Sequence, residues 1–176
     1  MGLAHDLSYA IGPSNAGQRL VRVVASSRPG AWALARVLPT LDRAVARRTR
    51  GRTTLVEQLA GLPVLVVTTT GRSSGLPRPA QLVAIPVGDD LALLGTNFGQ
   101  TRTPTWVLNL EADPHAAVSH RGVTVEVVAR PAADDERREI LATAGRVYLG
   151  YPKYLERVTD RTVRVFVLSR ETSAER

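Results

Sequence analysis

The chain has 176 residues, a length at which a single domain buries a core of moderate size. It has no cysteine, which excludes a disulfide framework and a thiolate metal centre and suits a cytoplasmic protein. Its net charge of +7 is almost entirely arginine, with Lys153 the sole lysine. These arginines are spread along the chain without a helix-turn-helix or RNP-type pattern, which favours a small anionic ligand or an anionic membrane surface over nucleic acid.

In chain order, residues 1–60 read as a helical segment. Leu34, Leu38, Leu41 and Val45 recur at helical spacing, and Arg36, Arg43, Arg47 and Arg50 fall on the opposite face. Pro39 divides this stretch into two short helices or kinks it. A basic amphipathic face can rest on a membrane surface, or its apolar side can pack on the body of the protein with the arginines in solvent. No run reaches the roughly 20 apolar residues of a membrane-spanning helix, and no signal peptide opens the chain.

From residue 61 the pattern turns β-rich. Val64 to Thr70 is an apolar, β-branched run and predicts a buried strand. It enters a first loop, Gly71 to Pro79. Strands at 80–87 and 91–96 join across Gly88-Asp89-Asp90 as a hairpin. A second loop, Asn97-Phe98-Gly99, leads to Thr103 as an N-cap, with Pro104 at the first position of a short helix running to Leu110. Strands at 116–119 and 123–129 pair across His120-Arg121-Gly122. Residues 134–148 predict a helix with Ile140, Leu141, Ala144 and Val147 on one face, opened by the acidic Asp134, Asp135 and Glu136. Gly150 and Pro152 predict a break, and Val163 to Leu168 a last strand. A short polar tail, 171–176, follows. Six mostly antiparallel strands with inserted helices predict an α+β, mainly β fold compatible with a small barrel over residues 61–170.

The two loops carry the chemistry. In the first, Arg72, Ser73, Ser74 and Arg78 surround Gly71 and Gly75. Backbone N–H groups in such a turn can form an anion nest, and arginine grips phosphate bidentately. The absence of GK[ST], together with Pro77 and Pro79 after the glycines, excludes a Walker loop. In the second, Thr96, Asn97, Phe98 and Gly99 form the turn and Arg102 carries the charge. The helix start at Pro104 favours a nearby anion. Trp106 is either core or a stacking surface, whereas Phe98 at a turn tip has little core to enter. Tyr148, Tyr151 and Tyr154 recur every three residues. No serine or other nucleophile has a histidine partner, and no carboxylates or histidines cluster, so hydrolysis and zinc chemistry have no candidate residues.

TTTGRSSGLPRP (Thr68 to Pro79), the block from Thr96 that ends TPTWVLNLEADP, and the late YLGYPKYLERVTDRTVRVFVL together resemble the deazaflavin-dependent nitroreductase family. The resemblance covers about Leu62 to Leu168. It implies a split β-barrel, related to the FMN-binding split barrels, and the coenzyme F-420, with FMN the alternative. By position it places Arg72, Ser73, Ser74, Gly75, Pro77 and Arg78 at the anionic tail, and Thr96, Asn97, Phe98 and Gly99 beside the deazaflavin ring or the near end of the tail. Pro104 and Trp106 would frame the pocket. Some members have lysine at the position of Asn97 and glycine at that of Phe98, so Arg102 becomes the candidate for the missing cation. Tyr151, with Tyr148 second, is implied as the hydrogen-bond or proton donor to the substrate, and the alternative is that the tyrosines only pack.

The activity so implied is hydride transfer from the reduced deazaflavin to an electron-poor acceptor such as a quinone, a nitro compound or an activated alkene. The alternative is a non-catalytic barrel that binds a flavin, haem, fatty acid or the deazaflavin. A quinone acceptor would suit a protein peripheral to the inner face of a membrane. Oligomeric state is open.

Overall fold

The computed structural model describes residues 2–33 and 55–171. Seven antiparallel strands form one sheet in the order β2-β1-β5-β6-β7-β4-β3: β1 Leu65–Thr70, β2 Pro77–Leu82, β3 Ile85–Val87, β4 Asp90–Leu94, β5 His115–His120, β6 Val123–Pro131 and β7 Val165–Arg170. Helices are α1 Leu3–Asp6, α2 Ala16–Ser26, α3 Leu55–Ala60, α4 Thr105–Ala112, α5 Asp134–Val147 and α6 Gly150–Arg157. Residues 28–33 are also helical. The basic pattern of Leu34 to Arg50 lies outside the described residues.

The sheet has to curl. β2 and β3 lie at its opposite edges, yet only Val83 and Ala84 separate them in sequence. Three residue steps span at most about 11 Å, so the edges are drawn together. The expected single strand at 80–87 is therefore two short strands, giving seven rather than six, with β2 starting earlier, at Pro77. Pro77 and Pro79 sit without conflict in β2 because it is an edge strand.

Phenols replace the ladder bonds lost at the bend. The Tyr9 hydroxyl accepts from the Ala84 N–H (2.9 Å), and its single proton is shared between the Ala84 (3.0 Å) and Pro63 (3.2 Å) carbonyls. The Tyr151 hydroxyl donates to the Val83 carbonyl at 2.8 Å. Neither part is legible from sequence alone, because pairings across 75 and 68 positions leave no local signature.

Two apolar cores lie on either side of the curled sheet. Leu91 and Leu93 of β4 and Phe166 and Leu168 of β7 join Leu65, Val67, Val118 and Val127 on one side, with Trp106 and Val107 of α4. The alternate residues Ala92, Leu94, Val165 and Val167 face the other way, towards Ile140, Ala144, Val147, Tyr148, Tyr151 and Tyr154. Burial on both faces explains the unbroken apolar runs of β4 and β7. The β5–β6 hairpin turns at Arg121 and Gly122, both at positive φ (48° and 87°), as a two-residue turn requires.

Candidate active site

Both loops lie at one end of the barrel. Every neighbouring pair in the order β1-β5-β6-β7-β4 is antiparallel, so β1 and β4 run in the same direction and end on the same side. The first loop leaves β1 at Gly71, and the second leaves β4 at Gly95. α4 follows the second loop and reaches back to the first. Its Asn109, 1% exposed, donates to Thr69 Oγ1 (2.9 Å) and accepts the Arg72 N–H (3.1 Å). An N–H can only donate, so it fixes which way this amide points.

The first loop closes on itself. Gly71 N–H donates to Leu76 O, and Ser74 and Gly75 N–H both donate to Gly71 O. Leu76 N–H donates to Ser74 Oγ, which also receives Arg78 Nη2 at 3.2 Å. Five of the amides that an anion nest would have used are thus engaged. The side chains of Arg72, Ser73 and Arg78 remain exposed, with Gly75 (φ 65°) and Pro77 shaping the turn.

The second loop is held tightly in an uncommon conformation. Asn97, Phe98 and Gly99 have φ of 49°, 56° and 77°. Left-handed backbone at a bulky residue costs about 1–2 kcal/mol and must be imposed by its surroundings. Asn97 Nδ2 donates to Arg102 O at 2.8 Å, so its amide is turned inward. Arg161 donates to the carbonyls of Gly95 (2.9 Å), Thr96 (3.3 Å), Gln100 (3.1 Å) and Thr101 (2.8 Å). Burial and the neighbouring Arg164 lower the pKa of this guanidinium. Gly99 is required: a Cβ there would lie 3.0 Å from Arg157 Cδ and 3.3 Å from Tyr154 Cα.

Several expected site residues stand elsewhere. Phe98 does enter a core, edge-to-face on Tyr154 with ring centroids 6.1 Å apart. Trp106 is buried edge-to-face on Phe166 at 6.2 Å and offers no stacking surface. Pro104, not Thr103, is the N-cap of α4; it is buried, and Thr96 is buried too. Arg102 is exposed.

The tyrosine triplet is internal. Gly150 and Pro152 do not break the chain between them. Both lie in the first turn of α6, where proline's missing N–H costs nothing, and the break falls at Tyr148–Leu149. The Tyr148 and Tyr154 hydroxyls meet at 3.0 Å, and Tyr154 donates to Ala25 O at 3.0 Å. Burial raises the pKa of all three phenols. Tyr151, bonded to Val83, and Tyr148 therefore do not present hydroxyls to an acceptor in this conformation.

Beside the second loop is an open recess of about 300 Å³. Among the described residues it is lined by Arg28, Ala31, Trp32, Phe98, Gly99, Gln100 and Arg157. Arg157 Nη2 donates to Ser26 O at 2.7 Å, and its guanidinium carbon lies 5.7 Å from the Tyr154 ring centroid. Its Nη1 is buried and has no hydrogen-bond partner among the described residues. An unpaired buried donor costs roughly 1–3 kcal/mol, more when charged.

Asn109, Arg157 and Arg161 were missed by the sequence reading. Asn109 did leave a signal, a polar residue between Trp106 and Leu110 on an apolar helix. Arg157 extends the Tyr151–Tyr154 spacing by one more step.

Comparison with known proteins decides the chemistry. Residues 41–170 match the F420H(2)-dependent quinone reductase family. The chain belongs to that family. An F420H(2)-dependent quinone reductase of Mycobacterium tuberculosis is 30% identical over 135 residues, 74% of this chain and 88% of the relative. Among solved structures, an F420-H2 dependent reductase has a TM-score of 0.55 at 28% identity, covering 60% of this chain and 93% of that one. A second, a domain-swapped dimer, has a TM-score of 0.57 at 25% identity, covering 80% and 98%. The chain is thus an oxidoreductase that uses the deazaflavin coenzyme F-420, and the non-catalytic alternative is set aside. No helix among the described residues is long and apolar enough to cross a membrane.

Proposed function

We propose that the protein reduces a quinone with F-420 bound across this barrel end. The anionic tail would lie on Arg72, Ser73, Ser74 and Arg78, with Arg102 contributing from the second loop. The observation that carries this is the convergence of the two loops at one barrel end, joined through Asn109, with Arg72, Arg78 and Arg102 exposed there. Exposed guanidinium groups suit phosphate and carboxylate, so the donor set fits the cofactor tail.

When bound, the reduced deazaflavin supplies the hydride. The chain's own residues bind and orient. Asn109 fixes the first loop, Arg161 fixes the second, and Gly75, Pro77, Thr96, Gly99 and Pro104 set the backbone course. Asn97 and Phe98 hold the strained turn, and Trp106 packs on Phe166 in the core that α4 covers. Tyr151 and Tyr148 act by packing, Tyr151 through Val83. Nitro compounds and activated alkenes remain chemically compatible acceptors.

The helices within residues 2–33 would form a wall over the barrel of 61–170, consistent with the Tyr154–Ala25 and Arg157–Ser26 bonds to α2. A cytoplasmic protein meeting the membrane through its basic N-terminal face would reach lipid-dissolved quinones. The deciding experiment titrates F-420 and FMN separately into the wild type, Arg72→Ala and Arg78→Ala. Both variants should lose about tenfold or more in F-420 affinity and leave FMN binding little changed. Unaltered F-420 affinity in both would remove the first loop from the site.

A further inference from the structure

We propose that the recess formed by Arg28, Trp32, Phe98, Gln100 and Arg157 receives the acceptor ring, with Arg157 Nη1 donating to the acceptor oxygen that becomes negatively charged. The inference rests on the quinone-reductase reading for its reaction, but its binding claim can be tested without cofactor.

Size comes first. About 300 Å³ is the lower end of the range of small-molecule sites, roughly 300–1,000 Å³, so the recess suits one fused ring system and not a long polyanionic cofactor. Its lining matches a planar, oxygen-bearing ring. Trp32 is 60% exposed, and with Phe98 it provides aromatic surface on which a ring can stack. Arg28 adds a second guanidinium at the rim.

The other terminal nitrogen of Arg157 is tied to Ser26 O at 2.7 Å and the group lies over Tyr154, so the guanidinium is held in place; Nη1 is covered while the recess is empty, and the entering ring must displace that cover to reach it. The strained Asn97-Phe98-Gly99 turn forms one wall of the recess. Retained strain of this kind is characteristic of functional sites.

The chemistry balances with this donor. A quinone that accepts one hydride, two electrons with one proton, becomes a monoanion with charge on oxygen. One proton from water then completes the quinol. A fixed guanidinium stabilises that oxyanion more than it stabilises the neutral quinone oxygen, so its contribution grows as charge develops.

The test uses the cofactor-free protein and an anionic hydroxynaphthoquinone, followed by quenching of tryptophan fluorescence. Trp32→Phe removes the responding fluorophore, since Trp106 is buried in the barrel. Arg157→Gln should weaken probe binding about ten- to a hundredfold, the range of one charge-assisted hydrogen bond, while Arg157→Lys recovers part of it. Gln100 is exposed, so Gln100→Glu probes the same recess without touching the Ser26 bond and should weaken the anionic probe several-fold. F-420 affinity should be unchanged in Arg157→Gln, Arg157→Lys and Gln100→Glu. Unchanged probe binding in both Arg157→Gln and Gln100→Glu overturns the proposal even if F-420 binds normally. Failure of the wild type to bind F-420 overturns the quinone-reductase reading instead, and leaves the probe titration to decide the recess.

Discussion

Replacing Asn109 with alanine tests how the first loop is anchored. The side chain is 1% exposed and makes two hydrogen bonds, from the Arg72 N–H and to Thr69 Oγ1. Each is worth about 0.5–1.5 kcal/mol net, and a partner left unsatisfied costs about 1–3 kcal/mol. Thr69 Oγ1 keeps a long bond to Arg78 O at 3.4 Å, and the Arg72 N–H is partly buried, so water can reach one partner but not readily both. A loss of about 2–3 kcal/mol follows. For a chain of this length that corresponds to a fall of roughly 4–12 °C in Tm. Urea denaturation should show the loss with the m-value unchanged. Because Arg72 is then held less firmly, F-420 affinity should fall as well. Asn109→Asp preserves the acceptor for Arg72 but buries a charge and loses the donor, so it should be at least as destabilising. A change below about 0.5 kcal/mol in Asn109→Ala, with F-420 affinity intact, refutes the anchoring role.

Tyr151→Phe should cost about 1–2 kcal/mol, by leaving Val83 O without its donor, and should hold kcat within about twofold. A tenfold lower kcat at wild-type stability would restore Tyr151 to the reaction. Arg161→Ala frees four loop carbonyls at once, so we expect a lower Tm and a higher KM for the acceptor; a wild-type KM counts against the clamp. Stability should also fall in alkali. Burial raises the pKa of Tyr9, Tyr148, Tyr151 and Tyr154 above the ordinary phenol value near 10, so the native state holds protons that the unfolded chain releases. Their contribution is complete below about pH 10 and lost above it, by about 1.4 kcal/mol per pH unit for each tyrosine still protonated in the native state. Denaturation midpoints from pH 8 to 11 should be level at first and then drop; a level profile throughout would contradict the burial of these phenols.

Legibility in the sequence followed the range of the interactions. The doubly buried β4 and β7 were readable because both faces demand apolar residues, and the Arg121-Gly122 turn because two adjacent positive φ values restrict residue choice. α5 was readable from its apolar face of Ile140, Ala144 and Val147. What failed depended on distant partners. The bend at Val83–Ala84 exists because Tyr9 and Tyr151 satisfy its backbone. Phe98 found a core because α6 brings Tyr154 to it, and Trp106 faces Phe166 across some 60 intervening residues. The loop glycines and arginines were visible as a group, but not that the loop's amides were already engaged or that Arg161, far along the chain, fixes the other turn.

The position of β7 between β6 and β4 bears on synthesis. Until Val165 to Arg170 has emerged from the ribosome, β4 and β6 have no common neighbour and the barrel is two unconnected fragments. Tyr151, which covers one side of the Val83–Ala84 bend, also arrives late. A nascent chain therefore waits with two exposed sheet borders until its final strand is delivered, and truncations before Val165 should be insoluble rather than merely inactive.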